Sequence, residues 1–299
     1  MNNWSENYQS PAYLKATRQA YLNRDFSKIV LRYSNIYNGC RVLDVGCGVG
    51  CFSQYLSEHV NGVSFTGVDS DEYMIANGVS VHEGNDISYV LGDAYELPFE
   101  TASFDVVVSH TFLNCVEDAK RAMEEMKRVV RRGGTITSVT SMSLGFETWY
   151  KGDYPKECRW NEVIEEASLI IYRALRKNGL SCTNRNRGVA TSYMPVFFTK
   201  AGLQNIQVMP LARAFSLSNF ALAKEDKKEY ILNMYNAECD RLSMIEKYPE
   251  VLQMVGKELF DDYKRAILEK REFWLAHLED NTIWDWFGSS SLLVSGIVG

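Results

Sequence analysis

The run VLDVGCGVG, residues 42 to 50, places Gly46, Gly48 and Gly50 behind a short apolar stretch that carries one acid, Asp44. Glycines at such a point allow a tight turn and let a ligand lie against bare backbone. A helix starting just beyond them offers free N–H groups. Asp69 follows 19 residues after Gly50, close to the spacing at which an acid accepts hydrogen bonds from ribose hydroxyls in nucleotide-binding sheets. Strand, glycine turn, helix and distal acid together point to a nucleotide-bearing ligand at the carboxyl end of a sheet. The dinucleotide spacing G-x-G-x-x-G is not met, because position 51 is Cys rather than Gly or Ala.

His110, one of four histidines, follows the apolar run FDVVVSH and is the candidate general base by position. The competing reading is a packed wall residue whose nitrogens hydrogen-bond locally. Asn114 and Cys115, at the next helix start, are candidates to line the pocket. Cys47 and Cys51 flank the glycine turn, but the other cysteines are scattered, so small filler is a simpler reading than a metal. No His/Asp/Glu cluster marks a divalent cation, and no metal is expected. Phe146, Trp149, Tyr150, Tyr154 and Trp160, with Tyr193, Phe197 and Phe198, form an aromatic set that could close over a small apolar or cationic acceptor. Its alternative is a seam that only packs a lid. Asn114, Trp149, Tyr150 and Tyr193 are the candidate acceptor-pocket residues.

The elements that would position these groups alternate. Residues 12 to 37 carry apolar side chains at near-helical spacing, stopped by Asn38-Gly39. RVLDVG, VSFTGVD, ISYVLGD, FDVVVSH and TITSVTSM then read as strands, separated by helices from about Cys51 to His59, near Glu72 to Ala76, and from an Asp118 cap to Arg132. This rhythm predicts an α/β fold: a doubly wound, seven-stranded, mostly parallel sheet. It breaks over residues 143 to 194, where an insertion holds a helix from about Trp160 to Lys177. It returns with a helix near Pro195 to Ala201 and a strand around QNIQVMPL. Residues 222 to 278 read as two long helices separated at Pro249, and SLLVSGIVG as the last strand. The expected organisation is a helical cap over 1–39, a core over 40–142, a lid over 143–194, and over 195–299 the end of the core with a long helical insertion.

The 299 residues are 46% hydrophobic and 23% charged, with net charge −6. That mix fits a soluble globular protein, and the absence of a Lys/Arg stripe argues against nucleic acid as partner. Seven cysteines without a Cys-x-x-Cys pair read as reduced thiols. With no secretory signal or membrane-length apolar run, a cytoplasmic protein without membrane contact is expected. Trp274, Trp284, Trp286 and Phe287 read as core or as a subunit interface, which makes a homodimer the candidate oligomer.

The glycine run with Asp44 ahead of it resembles motif I of the class I S-adenosylmethionine-dependent methyltransferases. VDSDEYM, GDAYELPFETASFDVVVSHTFLNCVED, RVVRRGGTITSV and FFTKAGLQNIQV resemble the family's later motifs in order. The resemblance implies a Rossmann-like methyltransferase fold and S-adenosylmethionine as cofactor, released as S-adenosylhomocysteine. It also implies a methyl acceptor, expected to be a small molecule, with protein, RNA or a non-catalytic sensing role as rivals. It assigns the backbone of Gly46, Cys47 and Gly48 to the methionine end and Gly50 to the cofactor site, with Asp44 either shaping that loop or touching the ligand. Asp69 and the adjoining Ser70 fall to the ribose, Asp93 and Ala94 to adenine, and Ser109 to the methionine amino group or the methyl. Arg131-Arg132 replaces the family's usual Lys-Pro before the double glycine, a departure at the surface turn.

Overall fold

The computed structural model describes residues 24–81, 87–142, 148–150, 154–155, 158–178, 188–216, 218, 222–279 and 286–299, with residues 5, 10, 11, 14, 15, 18 and 22 ahead of them. Its strands are β1 (Arg41–Val45), β2 (Ser64–Asp69), β3 (Ile87–Leu91), β4 (Phe104–His110), β5 (Val130–Met142), β6 (Thr148–Tyr150), β7 (Gln204–Ser216) and β8 (Trp286–Ile297). Its helices are α1 (Arg24–Tyr33), α2 (Cys51–Ser57), α3 (Glu72–Val81), α4 (Ala119–Val129), α5 (Trp160–Lys177), α6 (Met194–Lys200), α7 (Lys224–Ile245), α8 (Pro249–Val255) and α9 (Lys257–Ala276).

The sheet runs β3-β2-β1-β4-β5-β8, and β7 takes the other edge of β8. β1 to β5 are mutually parallel, while β8 is antiparallel to both β5 and β7. These seven long strands are the mostly parallel sheet that the strand and helix alternation predicts. The three-residue β6 was not expected; it pairs with β8 just beyond the point where Met142 leaves it. Pro210 is accommodated because β7 pairs only with β8 among the described strands, so a missing N–H costs no ladder bond on its outer edge.

Side-chain alternation divides the strands between two cores. Leu43, Val45, Val107, Ile136 and Val294 face α4 and α6, where Ala122, Met126 and Phe198 meet them. Val42, Phe65, Val106, Val108 and Leu293 face α1 and α2, where Val30, Phe52 and Leu56 meet them. Burial on both faces is why β1 and β4 read as nearly continuous apolar runs. Asp118 caps α4 by accepting from the Arg121 N–H at 3.0 Å. That helix stops at Val129, short of the expected Arg132, because Val130 is already extended. Gly134 then lies where a Cβ would stand 2.6 Å from the Asp105 carbonyl oxygen, which accounts for the double glycine.

The two insertions form one helical layer. Ala167, Ile171 and Ala174 of α5 share a core with Leu242 and Ile245 of α7, Val251 and Val255 of α8, and Phe260 and Tyr263 of α9. The stretch expected to hold two helices holds three, because Gly256, at φ 82°, breaks the chain between α8 and α9. Inside this layer Arg241 donates to Glu238 and, at 2.8 Å, to the Tyr263 hydroxyl, which in turn donates to Glu238. Tyr154 packs edge-on against Trp160 at 4.8 Å and Phe273 at 5.7 Å. For Tyr154 and Trp160 the aromatic stretch is therefore a packing seam between the lid and α9. Ile171→Ala, at a fully buried site, is expected to cost about 3 kcal/mol in urea unfolding, whereas Leu169→Ala on the exposed side of α5 should cost under about 0.5 kcal/mol.

Candidate functional site

Parallel register brings the chemistry-bearing residues to one edge. Asp44 lies opposite Gly67 and Val108, and Asp69 lies opposite Leu91. The turn after β1, Asp69 at the end of β2, Asp93 beyond β3, and Ser109 and His110 at the end of β4 thus meet at the carboxyl end of the sheet. Gly46, Gly48 and Gly50 have φ of 72°, 55° and 80°, values that L side chains rarely adopt. The Gly46 and Cys47 N–H groups both donate to the Val68 carbonyl, at 2.9 and 3.1 Å. Asp69 completes the turn: one carboxylate oxygen accepts from the Gly48 N–H at 2.8 Å and the other from the Asp71 N–H at 3.0 Å.

The bareness of the glycine turn has a second cause that the sequence did not show. A Cβ on Gly46 would collide with the Phe112 ring, and one on Gly50 with the Tyr89 hydroxyl. At Gly48 the nearest atom, on Leu14, would be 3.2 Å away. Two of the three glycines therefore make room for the protein's own rings.

Asp44 is buried, and one of its oxygens accepts from the Ser53 hydroxyl at 2.8 Å. The other has no hydrogen-bond partner among the described residues. Burial pushes this carboxyl up to about 7, with the Ser53 bond opposing the shift and Asp69 adding to it. Asp69 is also raised by burial, against the pull of the Asp71 and Gly48 N–H groups. Burial, then the neighbouring carboxylates, push the Cys47 thiol well above its ordinary range, and burial raises Cys51. Burial thus favours the thiol over the thiolate at both positions.

His110 is buried, and its ring stacks on Phe52 of α2 at 5.1 Å between centroids. Burial, then the Arg18 charge, push the imidazole well below 6.5. The stack on Phe52 is wall packing, and the downward shift weakens the ring as a proton acceptor. Ser109 and Asn114 each keep a buried oxygen without a partner among the described residues. Next to His110, Thr111 adopts φ 51°, a strained conformation for a β-branched residue. Its hydroxyl accepts from Arg18 at 2.7 Å. Asp93 is exposed and accepts from the Tyr95 N–H at 2.9 Å, Ala94 packs on the sheet core, and Ser70 is exposed.

The lid reaches the same edge. Gly188 lies on the backbone of Leu113 and Asn114, Val189 donates to the Leu113 carbonyl at 2.9 Å, and the Thr191 hydroxyl donates to the Ser141 carbonyl at 3.0 Å. Two aromatic assignments change. Tyr193 stands on the surface, where its hydroxyl accepts from Lys200 at 2.6 Å, and Phe198 is fully buried in the core behind the sheet. The side chains of Trp149 and Tyr150 lie outside the described residues, as do those of Trp284, Trp286 and Phe287. Sequence reasoning missed Asp71, which accepts from the Ser5 N–H and hydroxyl and from the Tyr73 and Met74 N–H groups. An acid just ahead of a helix was the available signal for it. For Thr111 no signal existed, since a left-handed β-branched residue has no sequence signature.

Comparison with known proteins agrees with this arrangement. The sequence model of the family described as "Methyltransferase domain" matches residues 43–138. The chain is 26% identical over 208 residues to a phthiotriol/phenolphthiotriol dimycocerosates methyltransferase of Mycobacterium leprae, covering 69% of this chain and 76% of that one. It is 37% identical over 111 residues to the demethylmenaquinone methyltransferase of Staphylococcus aureus, covering 36% of this chain and 46% of that protein, less than half its length. Among solved structures, the fold resembles a putative methyltransferase from an antibiotic biosynthesis pathway of Anabaena variabilis, with TM-score 0.52 and 14% identity over 92% of this chain and 98% of that one. With the glycine turn, the facing acid and the later motifs in order along one sheet edge, residues 43–138 match the methyltransferase domain family, and the chain is similar to methyltransferases over most of its length.

Proposed function

We propose that this enzyme moves the methyl group of S-adenosylmethionine to a small-molecule acceptor at the carboxyl edge of the sheet. The observation that carries the reading is the Asp69 carboxylate, aimed at the glycine turn and bonded to the Gly48 N–H. The residues fit the cofactor: Gly46, Gly48 and Gly50 bring no side chains of their own, though the Phe112 and Tyr89 rings pack against two of them, and Asp44, Ser109 and Asn114 each present a buried oxygen with no partner among the described residues. Unsatisfied buried polar atoms are costly, so a ligand with donors is what such a site lacks. Asp69 would hold the ribose hydroxyls, Asp93 and Ala94 the adenine edge, and the Gly46–Gly48 backbone with Ser109 the methionine end. Ser70 adjoins the ribose position.

The bound cofactor supplies an activated methyl on a positively charged sulfur that is its own leaving group. What the chain must then do is place the acceptor in line, a contribution on the order of 7 kcal/mol or more for well-oriented partners. Asn114, with the lid backbone of Gly188 laid across it, is positioned to border the acceptor. Trp149 and Tyr150, at the start of the lid, remain proposed contributors. His110 packs against Phe52 with its basicity lowered by burial, so the reading does not rest on it as general base. The two relatives above are named for phthiotriol/phenolphthiotriol dimycocerosates and demethylmenaquinone rather than for a protein or nucleic acid, and the net charge of −6 does not suit a nucleic-acid partner. None of the described helices is long and apolar enough to cross a membrane. The six described cysteines are all thiols, consistent with a cytoplasmic setting.

Calorimetry should show S-adenosylmethionine binding at least about tenfold weaker to Asp69→Ala, which loses both the ribose acceptor and the clasp on Gly48. Unchanged affinity would overturn the ribose assignment. Assayed by S-adenosylhomocysteine release from a metabolite pool, the rate should carry no inflection near 6.5 that disappears in His110→Gln. Such an inflection would restore His110 as the base.

A further inference from the structure

Asp44 is costly for the fold, because a buried carboxyl with only one partner is worse than an amide or an apolar residue unless something later meets it. Around Asp44, Cys47 lies in the same turn, Cys51 and Ser53 on α2, Asp69 on β2, Tyr89 on β3, and Arg18 reaches in from the N-terminal residues. On β4 the register neighbour is the apolar Val108, with the neutral His110 beyond it. The thiols and the phenol are held in their neutral forms by burial. Among the described residues this leaves the carboxyls of Asp44 and Asp69, with Asp71 beside Asp69, against the Arg18 guanidinium, which donates to Thr111, and the Lys15 ammonium near Cys51. The locality has room for one more positive charge.

We propose that Asp44 selects the cationic cofactor over its neutral-sulfur product by giving up a proton when the ligand's positive charge arrives. The inference rests on the cofactor reading above. S-adenosylmethionine and S-adenosylhomocysteine share the adenosine, carboxylate and ammonium groups and differ in one methyl and the charge on sulfur. Both ligands carry the ammonium, but only S-adenosylmethionine adds the sulfonium charge, which favours carboxylate over carboxylic acid at the unpaired Asp44 oxygen. The proton passes to solvent, and no covalent bond is made. After transfer the sulfur is neutral, Asp44 takes its proton back, and the product loses the interaction that held its precursor. Asp44 acts here as a specificity-determining residue, and its effect grows as pH rises through the range in which the unliganded carboxyl ionises.

The test is calorimetry with both ligands from about pH 6 to about pH 8, each titration repeated in two buffers of different ionisation enthalpy so that proton release is read directly. The affinity ratio favouring S-adenosylmethionine should rise about tenfold across that range. Its binding should release most of one proton at the acid end and little at the alkaline end, while S-adenosylhomocysteine releases less. In Asp44→Asn the ratio should be flat. Ser53→Ala, which removes the bond that favours the carboxylate, should move the wild-type curve to higher pH and serves equally where the Asn variant does not fold. Equal proton release for the two ligands, or a ratio whose pH dependence survives in Asp44→Asn or stays unmoved in Ser53→Ala, would overturn the proposal. Failure of the wild type to bind S-adenosylmethionine at any pH would instead strike the cofactor reading itself.

Discussion

The hydrogen bond from the Gly48 N–H to Asp69 is the constraint on which the site depends. A turn whose glycines sit at positive φ has few partners of its own, and the groups that fix this one come from β2: the Val68 carbonyl takes two N–H groups and the Asp69 carboxylate a third. The turn is therefore built against the neighbouring strand rather than against its own helix. Burial raises the cost of charge on Asp69, and the two N–H groups are what offset it. The acid proposed to hold the ribose is the same acid that shapes the turn beneath it.

Around that clasp the site carries features a merely stable protein would avoid. Thr111 is strained at φ 51°, and among the described residues Asp44, Ser109 and Asn114 each keep a buried oxygen without a partner. Each is an expense of the kind that collects at binding sites and that the surrounding sheet must offset. Ser5, Leu14 and Arg18 touch three successive points of this edge, at Asp71, Gly48 and Thr111. Contacts from ahead of the first strand thus reach across the cofactor turn.

Much of this was legible in the sequence, because the sheet obeys local rules. Fully buried parallel strands such as FDVVVSH are continuous apolar runs, and the glycine turn and the Asp118 cap are chemical signatures at fixed points. The helix from Trp160 to Lys177 was placed residue for residue by its spacing. What was hidden is non-local. Nothing in the α5 sequence says that Ile171 meets Tyr263 across 92 positions, since its apolar stripe would suit any partner. The rings that crowd Gly46 and Gly50 arrive from β3 and from beyond β4, so the sequence argument gave to a ligand what partly belongs to Phe112 and Tyr89. Tyr193 and Phe198 were misplaced for a related reason: composition marks a residue as aromatic, but only packing decides whether it faces a pocket, solvent or core.

The position of β8 has a consequence for how the molecule is made. It is the last strand in the chain, yet it lies between β5 and β7 and hydrogen-bonds to both. On the ribosome, β5 and β7 must each emerge with an open edge and wait, because the ribbon that joins them is translated after everything it unites. A nascent chain at that stage exposes two unprotected strand edges of 13 residues each, the feature most prone to pairing with other chains. Holding the intervening helices together early, through α5 with α8 and α9, would shorten the search that closing strand has to make.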